Sequence, residues 1–215
     1  MLVNVIVIVV AYLLGSISFS VIFGKKFKGV DVRESGSKNA GTTNVLRVAG
    51  KKAAACALIC DILKGVVAVL IAYVITKFGF AQDINGVILV QNAGIAAIIG
   101  HMFPIFYGFK GGKGVATTLG ILLLLNWKIG LIICIFMIIV IIATKMVSVA
   151  SLGAAMLYPV LVIFISDGYL ILSEEIFAHG YFVFSIIIAG IIAYNHRANI
   201  KRLATGTENK ISFKK

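Results

Sequence analysis

Long stretches of this chain carry apolar side chains at every helical position, with no polar stripe on any side. Seven such segments stand out: Leu2–Phe23, Ala53–Thr76, Asn85–Phe106, Val115–Leu125, Lys128–Thr144, Ser148–Ser166 and Ala178–Asn195. A helix that is apolar all round belongs in a bilayer or a deep core, and about 20 such residues cross the hydrocarbon. Runs such as Ile129–Ile142 lack the period-two alternation of a transmembrane barrel. The pattern therefore predicts an all-α, polytopic integral membrane protein with about seven transmembrane helices, forming one transmembrane domain over residues 1–215. The fourth segment is short. Eleven residues at about 1.5 Å each cover roughly half of a hydrocarbon core about 30 Å thick, which predicts either an extension into its glycine-rich leader or a broken helix.

Composition agrees. Of 215 residues 60% are apolar and 13% charged, and the mean hydropathy is +1.07, which excludes an ordinary soluble domain, a disordered chain and a disulfide-rich module. Cys56, Cys60 and Cys134 lie inside apolar runs and read as packing residues. The net charge of +12 reads as the positive-inside bias of a membrane protein, not as a nucleic-acid footprint. No Lys or Arg precedes the first apolar run, and Lys25, Lys26 and Lys28 follow it. That order predicts a retained span with its N-terminus outside, not a cleaved signal peptide. With the N-terminus outside and seven crossings, the inner segments Gly24–Lys52, Tyr107–Gly114, Lys145–Val147 and His196–Lys215 hold eight, two, one and six Lys and Arg, while the outer ones hold only Lys77 and Lys128. This places the C-terminus and any chemistry on the cytoplasmic side, and leaves the acidic segment Asp167–Phe177 outside.

Three inner segments carry candidate chemistry. The first, Asp31–Arg47, interleaves Ser, Thr and Asn with glycines and is punctuated by Arg33, Lys38 and Arg47. Glycine allows close backbone approach, hydroxyls and amides supply neutral donors, and Arg offers a planar fork for phosphate. The second, Phe109–Thr117, contains Gly-Gly-Lys-Gly. Its consecutive amides, a following helix N-terminus, Lys110 and Lys113 predict an anion-binding nest. It is not a phosphate loop of the Walker type, because the spacing is one residue short and Gly114 stands where Ser or Thr is required. The third, Asn195–Gly206, places Asn195, Asn199 and Arg202 on one helical face and His196 and Asn199 on a neighbouring one.

Inside the second span, Asp61 and Lys64 are three residues apart and can pair. Ser148 and Ser151 open the sixth segment as helix caps or further phosphate donors. The residues five positions beyond His101, His179 and His196 are Phe106, Phe184 and Lys201, so the His-x4-Asp acyltransferase signature is missing. Neither a metalloprotease helix motif nor a paired-cysteine motif occurs, and no metal site is expected. The residues by themselves describe a helical membrane protein gathering basic, hydroxyl and glycine-rich sequence around small phosphorylated ligands. A transferase and a transporter of phosphorylated solutes both satisfy that description.

The motifs together resemble those of the bacterial acyl-phosphate:glycerol-3-phosphate acyltransferase family. The similarity runs through Tyr12–Ile17, Gly36–Arg47, Asp61–Gly65, Gly100–Thr117, Thr144–Ser151 and His196–Leu203. Ser18 stands where many members have Pro, and Lys38 where many have Gly. The resemblance implies transfer of a fatty acyl group from acyl phosphate to the 1-hydroxyl of glycerol 3-phosphate, without cofactor, metal or nucleic acid, in contact with membrane lipid and alongside an enzyme that forms acyl phosphate. It implies a multi-pass protein of the bacterial plasma membrane with a cytoplasmic active site. It implies catalytic roles for His196, Asn199 and Lys113, and substrate binding by Ser37, Asn39, Thr43, Asn44, Arg47, Lys110, Gly111, Gly112, Gly114, Thr117, Ser148 and Arg202, with Asp61 and Lys64 as a structural ion pair.

Overall fold

The structure, a computed structural model, describes residues 2–80, 85–165, 167 and 178–211. Ser166, residues 168–177 of the acidic outer segment and the side chain of His179 lie outside the described residues. Helices are α1 (Leu2–Gly15), α2 (Phe19–Lys28), α3 (Thr42–Ala49), α4 (Lys51–Lys77), α5 (Gly86–Met102), a 3-10 turn (Ile105–Tyr107), α6 (Val115–Leu125), α7 (Trp127–Thr144), α8 (Val147–Phe164), α9 (Ala178–Asn195) and α10 (Arg197–Ala204). No strand occurs among the described residues. Each of the seven apolar segments is largely helical over its described residues, as the patterning predicts.

Five helical stretches among the described residues are long and apolar enough to cross a bilayer, and a sixth is reached if α9 and α10, bent by 63°, count together. The short fourth segment is the eleven-residue α6, which begins at Val115 and does not extend into its glycine-rich leader. Seven crossings therefore need α6 to span with less than a full helical length.

The chain forms two compact units, residues 1–124 and 125–215. In the first, α5 packs against α1 and α4. Glycine sets how closely these helices approach. A Cβ on Gly15 would fall 2.2 Å from the carbonyl oxygen of Ala97. One on Gly100 would fall 2.2 Å from that of Tyr12. The α4–α6 crossing is reciprocal, with Gly65 against Thr117 and Gly120 against Ile62. Without hydrophobic drive between helices in lipid, such small-residue contacts supply the packing energy.

The first span is interrupted at residues 16–18. Its freed Ile17 carbonyl accepts a hydrogen bond from Lys64 Nζ at 2.8 Å, which satisfies a polar group that lipid cannot. Beyond it, α2 ends with Lys25, Lys26 and Lys28 in its last turn and a left-handed Gly29 cap (φ 67°), both favourable at a helix C-terminus. In the second unit α8 packs against α7 and α9. Asn126 caps α7 by accepting from the Ile129 amide at 3.1 Å. Lys128 pairs with Asp167.

Candidate active site

In the first unit the segment between α2 and α3 is shaped by two side chains. Arg33 donates through Nε and Nη2 to the two carboxylate oxygens of Asp31, at 3.0 and 2.7 Å. Its Nη1 donates to the Tyr107 carbonyl at 2.7 Å. The guanidinium fork is thus committed to the protein, and Arg33 ties this loop to the 3-10 turn. The Asp31 carboxyl is held at about 2, chiefly by the Arg33 hydrogen bond, with partial burial opposing. Because this pKa lies below its ordinary value, the stabilisation is complete above about pH 4 and is lost as pH falls toward about 2. With both side chains partly solvated the step is about 1–2 kcal/mol. The thermal midpoint is expected to drop over that window in the wild type, and Asp31→Asn is expected to remove the drop.

Asn44 organises the same loop. Its Nδ2 donates to the carbonyls of Val32 (2.6 Å) and Ser35 (3.0 Å), and its Oδ1 accepts from the Ser37 amide at 2.8 Å. The side chain is buried, so Asn44 fixes the backbone on which Ser37 stands exposed. Arg47 is exposed in the last turn of α3. Asn39 and Thr43 are half-buried nearby.

The glycine-rich loop is docked onto the end of α5. Gly111 N donates to Met102 O at 3.2 Å, Gly112 N to His101 O at 3.0 Å, and Ala40 N to Gly111 O at 3.3 Å. The amides of Gly111 and Gly112 are therefore committed to carbonyls, and the anion nest read from the sequence is narrower than four amides. What these two glycines provide is closeness: a Cβ on Gly111 would fall 2.1 Å from His101 O, and one on Gly112 2.6 Å from Ala40 O. Gly114 turns at φ 84°, a conformation that favours glycine, and opens α6. The first intrahelical bond there runs from Thr118 N to Gly114 O at 2.8 Å, so the preceding amides are those a helix leaves for an anion. Lys110 is exposed, and Thr117 is fully buried with its hydroxyl unpartnered.

Within the membrane-spanning part, Lys64 Nζ lies 2.8 Å from Asp61 Oδ1. His101 Nδ1 lies 3.5 Å from the same oxygen. No sequence signal joins His101 to residues forty positions earlier.

In the second unit Glu208 is the organising group. It accepts from Asn199 Nδ2 at 2.7 Å and from Arg202 Nε at 2.9 Å. Burial pushes its carboxyl upward, but the hydrogen bonds from Asn199 and Arg202 and the facing Ser148 hydroxyl outweigh burial and hold it below the usual range. Sequence reasoning passed over Glu208, although a lone carboxylate in a tail of six Lys and Arg is itself a signal. Past it, Ile211 N donates to Lys145 O at 2.8 Å, so the tail is strapped to the α7–α8 turn. Ser148 and Ser151 are not caps: Met146 holds the N-cap position of α8 without a side-chain cap bond, and Ser151 Oγ donates to Val147 O at 2.9 Å. His196 is buried at the bend between α9 and α10, with Nδ1 2.8 Å from the Ile192 carbonyl. Facing a carbonyl, Nδ1 acts as the donor of this pair.

These features define a helical integral membrane protein that presents basic side chains, a helix N-terminus and small hydroxyls on glycine-shaped loops, a constellation suited to phosphoanions. Residues 5–206 match the family model described as glycerol-3-phosphate acyltransferase. A glycerol-3-phosphate acyltransferase of Fusobacterium nucleatum is 44% identical over 207 residues, covering 96% of this chain and 97% of the relative. One from Halalkalibacterium halodurans is 44% identical over 212 residues, covering 98% and 96%. The crystal structure of PlsY, an integral membrane glycerol 3-phosphate acyltransferase, in its glycerol 3-phosphate form superposes with a TM-score of 0.80 at 36% identity, covering 97% of this chain and 96% of that one. The chain belongs to the glycerol-3-phosphate acyltransferase family.

Proposed function

We propose that this protein transfers a fatty acyl group from acyl phosphate to the 1-hydroxyl of glycerol 3-phosphate, releasing lysophosphatidic acid and inorganic phosphate. Its setting is a bacterial plasma membrane, with the C-terminus and the active site on the cytoplasmic face, a reading supported by the positive-inside bias of the loops. The observation that carries the reading is full-length similarity to an acyltransferase whose crystal structures are described as its glycerol 3-phosphate form and its lysophosphatidic acid form.

In the first unit Ser37, Thr43 and the turn from Gly114 to Thr117 serve the phosphate of the donor, and Arg47 and Lys110 that of the acceptor. Asn39 lines the same loop, Asn44 acts through the loop it shapes, and Lys113 supplies charge to either anion. In the second unit Asn199 and Arg202, oriented by Glu208, together with His196 and Ser148, offer further donors for a phosphate. Acyl phosphate is a mixed anhydride and arrives activated, so the protein supplies positioning and charge stabilisation. The acceptor oxygen bonds to the acyl carbon and the bond from that carbon to the phosphate oxygen breaks. The hydroxyl proton passes to a phosphate oxygen of the donor, or to His196.

The test is purified protein mixed with palmitoyl phosphate and glycerol 3-phosphate, without added metal, coenzyme A or acyl carrier protein. Stoichiometric release of phosphate and lysophosphatidic acid is expected. Activity with palmitoyl-coenzyme A and none with palmitoyl phosphate would overturn the donor assignment.

A further inference from the structure

A buried line of contacts starts at the break in the first span and ends at the glycine-rich loop. Lys64 Nζ holds the Ile17 carbonyl at 2.8 Å and sits 2.8 Å from Asp61 Oδ1. That oxygen lies 3.5 Å from His101 Nδ1. The three residues are 1% (Asp61), 4% (Lys64) and 7% (His101) exposed. The opposite edge of the ring abuts the loop: a Cβ on Gly112 would fall 2.2 Å from His101 Nε2. The main chain of the same residue reinforces the contact, because His101 O accepts from Gly112 N at 3.0 Å.

Three ionisable groups in one membrane-spanning core are expensive. A structural ion pair explains two of them. It does not explain why the carboxylate also faces an imidazole whose far edge sets the seat of a functional loop. We propose that Asp61, Lys64 and His101 act together as positioning residues for the loop 110–114. The carboxylate, itself held by Lys64, orients the imidazole, and the Nε2 edge sets how closely Gly112 approaches α5. Lys113 and the Gly114 turn follow from that seat, so the network determines where the loop's cation and the first amides of α6 meet phosphate. Ala40, bonded to Gly111 O at 3.3 Å, carries the same registration to the loop bearing Ser37. The inference rests on the anion-binding role given above to Lys113 and the α6 turn.

The test is steady-state kinetics and thermal unfolding of the full chain in detergent for His101→Ala and His101→Gln. Misplacing an anion seat by a fraction of an ångström is expected to raise KM for the substrate it holds about tenfold, with kcat within about threefold of wild type. Gln keeps a polar group near the Nε2 position and is expected to bring KM back to within about threefold. A rise confined to glycerol 3-phosphate supports the positioning role and moves the loop from the donor's phosphate to the acceptor's. Unchanged KM values for both substrates in a folded His101→Ala protein would overturn the inference. So would equal losses in the two variants that simply follow their thermal midpoints. Should His101→Ala fail to fold, Asp61→Leu with Lys64→Met removes both charges and the ring's anchor together, and the same rise in KM is required of it. Calorimetric titration with glycerol 3-phosphate and with inorganic phosphate reads the loss without turnover, so an inactive wild type would count against the proposed donor and not against the network.

Discussion

Arg47→Ala and Lys113→Ala are each expected to lower kcat/KM about ten- to hundredfold, the loss of one charge-assisted phosphate contact worth about 1.5–3 kcal/mol. The two cations stand on separate pieces of backbone. Arg47 projects from the last turn of α3, the helix whose Asn44 secures the preceding loop with three hydrogen bonds. Lys113 sits between Gly112, seated against α5, and Gly114, which opens α6. Arg47→Lys restores charge but not the fork, so partial recovery is expected there. Varying each substrate in turn, with the thermal midpoint as a check on folding, measures the effect. Wild-type kinetics in both alanine variants would remove the two residues from the site.

Asp61→Asn is expected to destabilise the protein by about 3–5 kcal/mol, because it leaves the Lys64 ammonium buried without its counter-charge. Replacing both partners with apolar residues of similar volume is expected to recover most of that loss, since a buried pair removed together leaves no orphan charge. Thermal or denaturant unfolding in detergent checks both statements. The same variant bears on chemistry. If proton transfer goes to a substrate phosphate, the folded fraction of Asp61→Asn still turns over at saturating substrate. A folded sample that binds both substrates and shows no turnover would rule out the substrate-assisted route.

Much of the candidate site is legible in the residues. The i, i+3 spacing of Asp61 and Lys64 on one helix forces them to one side, and they do pair. The glycine-rich runs do form turns that favour or require glycine, as Gly36 (φ 63°) and Gly114 (φ 84°) show. Other roles were legible as chemistry but not as assignment. Arg33 has the same guanidinium as Arg47 and lies in the same loop, yet its fork is closed on Asp31 and Tyr107. Gly111 and Gly112 bring the right amides for a nest, yet those amides are taken by the end of α5. Glu208 has no motif around it and still gathers Asn199 and Arg202.

Local spacing and hydropathy suffice for whatever depends on neighbours in the chain: seven apolar helical segments, a charge bias between the connecting loops, and an acid–lysine pair one helical turn apart. Those properties follow from periodicity and from the cost of leaving backbone or charge unsatisfied in lipid, which every residue feels wherever the rest of the chain lies. Which donors face a ligand and which are consumed internally depends on partners far away in sequence. His101 reaches Asp61, Arg33 reaches Tyr107, and Ile211 reaches Lys145 only in the folded chain. A hydrogen-bonding group is used once, and the folded chain, not its order of residues, decides where.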